Sequence, residues 1–194
     1  MQNQPRFPEV KVKEIRSGDL MLNLINEADV SQIDGLLREY DESEYFLGEL
    51  HRSCVPRFDD EGRRTKYGFL VESESNPAGL CLLGISSFEH KRGYTGADTL
   101  PHMRGRGIAP GCKPMLFYLA FELLGLNRVE TGCNVSNTSS RRSIEKTPGF
   151  RLEGTLRGYS RNSEGEFEDE LRYGILRRDW LELYNGSDVE AIAG

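Results

Sequence analysis

Leu20, Leu22 and Leu24 alternate with Met21, Asn23 and Ile25, a period of two that predicts a first strand. Val30, Ile33, Leu36 and Leu37 then fall on one face at helical spacing. The aromatic-rich stretch 40–58 predicts a second helix and a loop. Residues 67–71 and 80–88, joined by the turn-forming stretch 73–79, read as a hairpin. Residues 91–96 (Lys-Arg-Gly-Tyr-Thr-Gly) read as a loop, and 97–103 as the strand that follows it. Pro110 sits where a first helical residue belongs, and Leu116, Leu119, Ala120, Leu123 and Leu124 repeat at helical spacing through residue 124. The order then continues as strand 128–133, helix 136–146, strand 150–157 and strand 171–176.

Strands and helices that alternate without a linker, an internal repeat or a low-complexity segment predict one α+β domain built on a mixed sheet. The expected boundaries are an N-terminal extension over 1–16, a domain over 17–184 and a C-terminal tail over 185–194. At 194 residues the chain has the length of a single domain with a sizeable core.

Composition narrows the function. The formal net charge of −6 argues against nucleic acid as the main partner, because phosphate binding needs a basic face. No apolar run approaches the length of a membrane span, and the start, Met1-Gln-Asn-Gln-Pro, lacks the charged and apolar regions of a signal peptide. A cytoplasmic protein without a membrane partner is expected. Cys54, Cys81, Cys112 and Cys133 are scattered without a Cys-x-x-Cys pair, which predicts buried reduced thiols and no metal site. Acid gathers at 41–44, 59–61 and 164–170. A solvated surface accounts for such runs, while a negative rim at a site entrance would draw in a cation.

Arg104-Gly105-Arg106-Gly107-Ile108-Ala109 carries the sharpest chemical signal. Two glycines remove Cβ atoms from a turn that feeds a helix, so backbone N–H groups and the positive end of the helix dipole converge on one point. That arrangement suits a pyrophosphate. A Walker loop is excluded, since Lys113 lies too far from the glycines and no hydroxyl residue follows it. A dinucleotide fingerprint is excluded as well, since Pro110 stands where its third glycine belongs.

The loop satisfies Arg/Gln-x-x-Gly-x-Gly/Ala through Arg104, Gly107 and Ala109, which resembles the acetyl-CoA loop of the GNAT N-acetyltransferases. Downstream, residues 125–130, 137–146 and 149–154 are similar in order and spacing to the Rim-type branch. The resemblance implies a mostly antiparallel twisted sheet flanked by helices, and acetyl transfer from acetyl-CoA to a primary amine through a ternary complex. The acceptor would be a protein N-terminus or a small cationic amine. A non-catalytic acetyl-CoA-binding regulator is the alternative, and the reading leaves room for a homodimer.

By the same resemblance the cofactor lies against Leu100, His102, Met103, Arg104, Gly105, Arg106, Gly107, Ile108, Ala109, Asn137 and Ser140, with the pantetheine arm paired to the strand around residues 100–103. Asn137 also has the chemistry of a helix N-cap. Ser140 stands where Rim-type enzymes place a serine near the thiol. Two departures concern the chemistry: Ile144 stands where many relatives carry a tyrosine as general acid, and Ser160 where Rim-type relatives carry a glutamate base. Asp98, Glu89 and His102 remain as candidate bases, with Asp98, His102 and Ser140 taken as the catalytic set. Glu166, Glu168 and Glu170 are expected to receive the amine, and Asp169 to be structural.

Overall fold

The computed structural model describes residues 10–40, 44–162, 165–184 and 188–193. Residues 41–43 of the first acidic run and Glu164 of the last lie outside them, as do 1–9 of the expected extension and 185–187 and 194 of the expected tail.

Among the described residues ten strands form one sheet: β1 (Val12–Ser17), β2 (Leu20–Leu24), β3 (Arg57–Phe58), β4 (Arg64–Ser73), β5 (Asn76–Ser87), β6 (Arg92–Thr99), β7 (Arg128–Asn134), β8 (Arg151–Arg161), β9 (Phe167–Leu176) and β10 (Glu190–Ala193). Their spatial order is β10-β1-β2-β4-β5-β6-β7-β9-β8, with β3 on β4. Every pairing is antiparallel except β6 with β7. The α+β class and the mixed, mostly antiparallel sheet are as the sequence predicts. Val12–Ser17, which overlaps the expected extension over 1–16, pairs with both β2 and β10, and β10 lies within the expected tail over 185–194.

The helices are α1 (Val30–Leu37), α2 (Glu44–Cys54), α3 (Ile108–Phe117), α4 (Thr138–Glu145) and α5 (Arg177–Leu183). α3 widens into π-helical turns over Tyr118–Leu123, which turn Leu119, Ala120 and Phe121 fully into the core. There Phe117 packs edge-on against Phe150 at 5.2 Å between ring centroids, and Phe121 lies 5.7 Å from Trp180. The four cysteines are free and buried, as expected.

Two expectations need correcting around the centre of the sheet. Residues 92–96 are strand, not loop. Gly93 looks like a turn signal but serves close packing, because a Cβ there would lie 2.7 Å from the Gly84 carbonyl oxygen and 2.9 Å from Leu126. Residues 101–103 are a turn of 3-10 helix, not strand. Proline at its first position fixes φ and cannot donate to a ladder, so the chain leaves the sheet at Leu100.

Candidate functional site

The parallel strands β6 and β7 stay together for only three residue pairs, Arg92–Arg128, Gly93–Val129 and Tyr94–Glu130. One more link follows, from Thr131 Oγ1 to the Thr95 carbonyl at 3.0 Å. Beyond it β6 runs on beside β5 as far as Thr99, and β7 beside β9 as far as Asn134. The sheet therefore opens into a V whose closed end is Thr95 and Thr131. Its left wall is the free edge of β6 over residues 96–99.

The phosphate loop sits at the mouth of that V. Gly105 and Gly107 both have φ of 81°, a left-handed conformation that favours glycine, and Gly107 caps α3. A Cβ on either would meet nothing within 4 Å, so backbone conformation and open space set these glycines apart, not packing. The first helical bond runs from Gly111 N–H to the Gly107 carbonyl. Among the described residues the amides of 105–109 have no hydrogen-bond partner. Five converging donors at the start of a helix fit a pyrophosphate.

Leu100 and Met103 offer no backbone amide to this surface, although Met103 lines the cavity beside the loop. Both are buried, Leu100 N–H donates to the Ala78 carbonyl at 2.9 Å, and Met103 N–H donates to the Leu100 carbonyl. Neither amide is open to an added strand, so the edge open to one is residues 96–99, the stretch before the proline. His102 is exposed and lies 3.9 Å from the Glu39 carboxylate. It lines a cavity of about 590 Å³ beside the loop, with Asp19, Glu74, Arg106 and Gly107, away from Asp98.

Asp98 lies opposite Leu80 on the α2 face of the sheet. There it lines a second, narrower cavity of about 180 Å³ with Glu49, Ser53, Cys54, Leu82 and Gly96. Burial pushes the Cys54 thiol up to about 12, and the Asp98 carboxylate adds to the effect. Burial and the same carboxylate push the Tyr40 hydroxyl upward too. Asp98 thus brings negative charge to the inner wall of the pocket, and Glu49 to its rim. Glu49, at the rim, pairs with Arg52 at 2.5 Å. Sequence reading missed Glu49 because an acid on an amphipathic helix looks like solvated surface; only α2 packing on β4, where Gly68 admits the Cys54 backbone, brings it here.

On the far wall, Asn137 caps α4, its Oδ1 accepting the Ser140 N–H at 2.9 Å. The cap uses the carboxamide oxygen and leaves both nitrogen donors to other partners. Ser140 reaches Cys133 of β7, and their side-chain hydrogen bond opposes the upward push of burial on that thiol. Ile144 is buried with Cys133, Leu171 and Tyr173, so the position of the family's tyrosine is spent on packing.

The acidic run behaves differently from expectation. Glu168 Oε1 accepts the Ser136 N–H at 2.8 Å, and hydrogen bonds from Ser136 hold its carboxyl below the usual range. Glu170 pairs with Arg172 at 2.7 Å. Both carboxylates brace the β7–β9 region, leaving Glu166 alone of the three exposed. Asp169 accepts the Gly158 N–H at 2.8 Å across the β8–β9 bulge, a structural role.

Unused amides at a helix start stand beside a parallel pair of strands that parts midway, an anion-binding geometry next to an open sheet edge. A family model described as an acetyltransferase (GNAT) domain matches residues 14–151. This chain belongs to the GNAT acetyltransferase family. "Uncharacterized N-acetyltransferase p20" from Bacillus licheniformis is 27% identical over 120 residues, which cover 62% of this chain and 66%, just under two thirds, of that protein. A chimera of spermidine N-acetyltransferase SpeG from Vibrio cholerae and hSSAT has a TM-score of 0.68 at 22% identity, covering 84% of this chain and 99% of its own. Mutant forms of the spermidine/spermine N-acetyltransferase SpeG from Vibrio cholerae give 0.66 at 20% identity over 86% and 99%. At such identities the likeness is one of fold. No helix among the described residues is long and apolar enough to cross a membrane.

Proposed function

We propose that this protein transfers the acetyl group of acetyl-CoA to the primary amine of a small polycationic acceptor carrying a slim aminoalkyl arm. The observation that carries this reading is that one stretch of β6, residues 96–98, both lines the Asp98 cavity and forms the free edge of the V. An arm paired along that edge puts its thioester against the cavity, and an amine in the cavity faces the thioester carbon. Proximity of this kind supplies much of the rate of an acyl transfer.

The amides of 105–109 hold the pyrophosphate, and the Asn137 carboxamide nitrogen serves the amide-rich arm. The amine nitrogen attacks the carbonyl carbon, the C–N bond forms, the C–S bond breaks and the electron pair leaves with sulfur. Asp98 takes the proton of the amine. Glu49 holds a second cationic centre of the acceptor. A cavity of about 180 Å³ is the space of about six waters, which suits an aminoalkyl chain better than a folded peptide terminus. The names of the structural neighbours, spermidine N-acetyltransferases, point to the same class. His102 drops out of the reaction, since it faces Glu39 beside the other cavity.

The test is release of free CoA thiol from acetyl-CoA with spermidine, with a peptide bearing a free N-terminus, and with no acceptor. Thiol release with spermidine that falls at least about a hundredfold in Asp98→Asn is expected. Release only with the peptide would overturn the acceptor class, and tight acetyl-CoA binding without release in any arm would make the chain a binder.

A further inference from the structure

Lys113 is a lysine in a place where the fold could have used leucine. It lies on the core face of α3, 4% exposed, and its ammonium donates to Thr95 Oγ1 at 3.0 Å, the one hydrogen bond it makes among the described residues. A buried ammonium with one neutral partner is expensive, and nothing in packing demands it. Thr95 is the residue at which β6 and β7 part, tied to Thr131 through its carbonyl. By strand alternation Thr95 and Asp98 project to opposite faces of the sheet. A buried cation therefore stands behind the closed end of the V, while the carboxylate of the acceptor cavity stands in front.

We propose that Lys113, held in place by Thr95, is the cation that stabilises the thiolate leaving group. This rests on the acetyl-transfer reading and adds to it a charge for the leaving group, where Ile144 offers no proton. As the C–N bond forms and the C–S bond breaks, the electron pair collects on sulfur in the plane of the sheet. The Lys113 ammonium supplies opposite charge there from behind the closed end of the V and keeps its proton; the thiolate is protonated by solvent water as it leaves, and the proton Asp98 releases neutralises the hydroxide. Low surrounding dielectric makes such a fixed charge effective. The groups around it do not neutralise it first. Burial holds the Cys81 thiol of β5 well above its usual range, Cys112 is its helix neighbour, and Asp98 of β6 is the one carboxylate near enough to favour the ammonium. Burial lowers Lys113 to about 8, so the ammonium form, and with it the charge, still predominates at neutral pH.

The test reads the CoA thiol directly. The complex of the full chain with CoA is titrated by ultraviolet absorbance of the thiolate, with the desulfo-CoA complex subtracted to remove protein cysteines. The wild-type complex is expected to hold the thiol about tenfold more acidic than the Lys113→Met complex, with Lys113→Arg close to wild type. Thr95→Val, which keeps the ammonium but frees it, should fall between them, and gives the answer if Lys113→Met fails to fold. Equal thiol acidity in wild type, Lys113→Met and Thr95→Val, with CoA bound by all three, would overturn the role of Lys113 and leave acetyl transfer standing. Failure of wild type to bind CoA would overturn both.

Discussion

The side-chain oxygen of Asn137 accepts the backbone N–H of Ser140 at 2.9 Å, which starts α4 and leaves the carboxamide nitrogen for the proposed contact with the cofactor arm. The two roles draw on different atoms, which makes them separable. Asn137→Ala removes both and is expected to cost about 1 kcal/mol of stability as well as CoA affinity. Asn137→Asp keeps the cap and loses the nitrogen donors, so its melting temperature should match wild type while CoA affinity falls. Thermal melts and isothermal titration on the two variants check this; equal CoA affinity in Asn137→Asp and wild type would assign Asn137 to the helix alone.

Gly107 is expected to matter twice. Its φ of 81° penalises a β-branched side chain by about 1–3 kcal/mol, and the space its Cβ would enter belongs to no protein atom. Gly107→Val should lower stability by that amount and abolish measurable acetyl-CoA binding. Gly107→Asn, which tolerates the left-handed region better, should restore most of the stability without restoring affinity. A folded Gly107→Val protein with wild-type affinity in titration calorimetry would remove the loop from the cofactor site.

Steering of a cationic acceptor is expected from Asp98 and Glu49, not from the 164–170 run. Charges at an entrance act over about 8 Å at physiological salt, and Glu49 lines the Asp98 cavity whereas Glu166, Glu168 and Glu170 do not. Glu49→Gln should raise the acceptor's KM severalfold, flatten the salt dependence of kcat/KM and spare acetyl-CoA affinity. Glu166→Gln should change neither. Steady-state kinetics at two ionic strengths decide the matter, and a salt dependence that Glu166→Gln flattens and Glu49→Gln does not would return the entrance to the hairpin.

Burial of Lys113 makes stability depend on pH with a definite sign. Its value falls from 10.5 in the unfolded chain to about 8 in the fold, so between those limits the unfolded state binds the extra proton and stability rises with pH. At neutral pH the buried ammonium costs on the order of 3 kcal/mol relative to an unperturbed lysine. Lys113→Met is therefore expected to be more stable than wild type at pH 7, with the gap narrowing steadily from pH 8 to 10.5. Urea unfolding of both proteins across that range measures the difference, which cancels the opposing titration of buried thiols common to the two. A gap that stays constant over the window would show that Lys113 is not shifted.

Much of the sheet was legible because strand alternation and helical spacing record one-sided burial directly in the chain. Leu20–Leu24, Val30–Leu37 and Arg128–Asn134 fall where the apolar periods place them. The geometry of the loop was legible for a similar reason: left-handed backbone needs glycine, and a helix start needs nothing beyond its own residues, so Arg104 to Ala109 carry it locally. What the sequence could not record is where separate segments meet. Gly93 is a turn signal by composition and a strand residue because Gly84 and Leu126 press against it. Glu168 and Glu170 are acids in a surface run until Ser136 and Arg172 claim them, and Glu49 is another until α2 packs on β4 and β5. Lys113 gave only the faint sign of a cation on an apolar helix face. Its meaning came from the parting of β6 and β7 at Thr95, since long-range pairing, and no local propensity, decides where a parallel pair of strands separates.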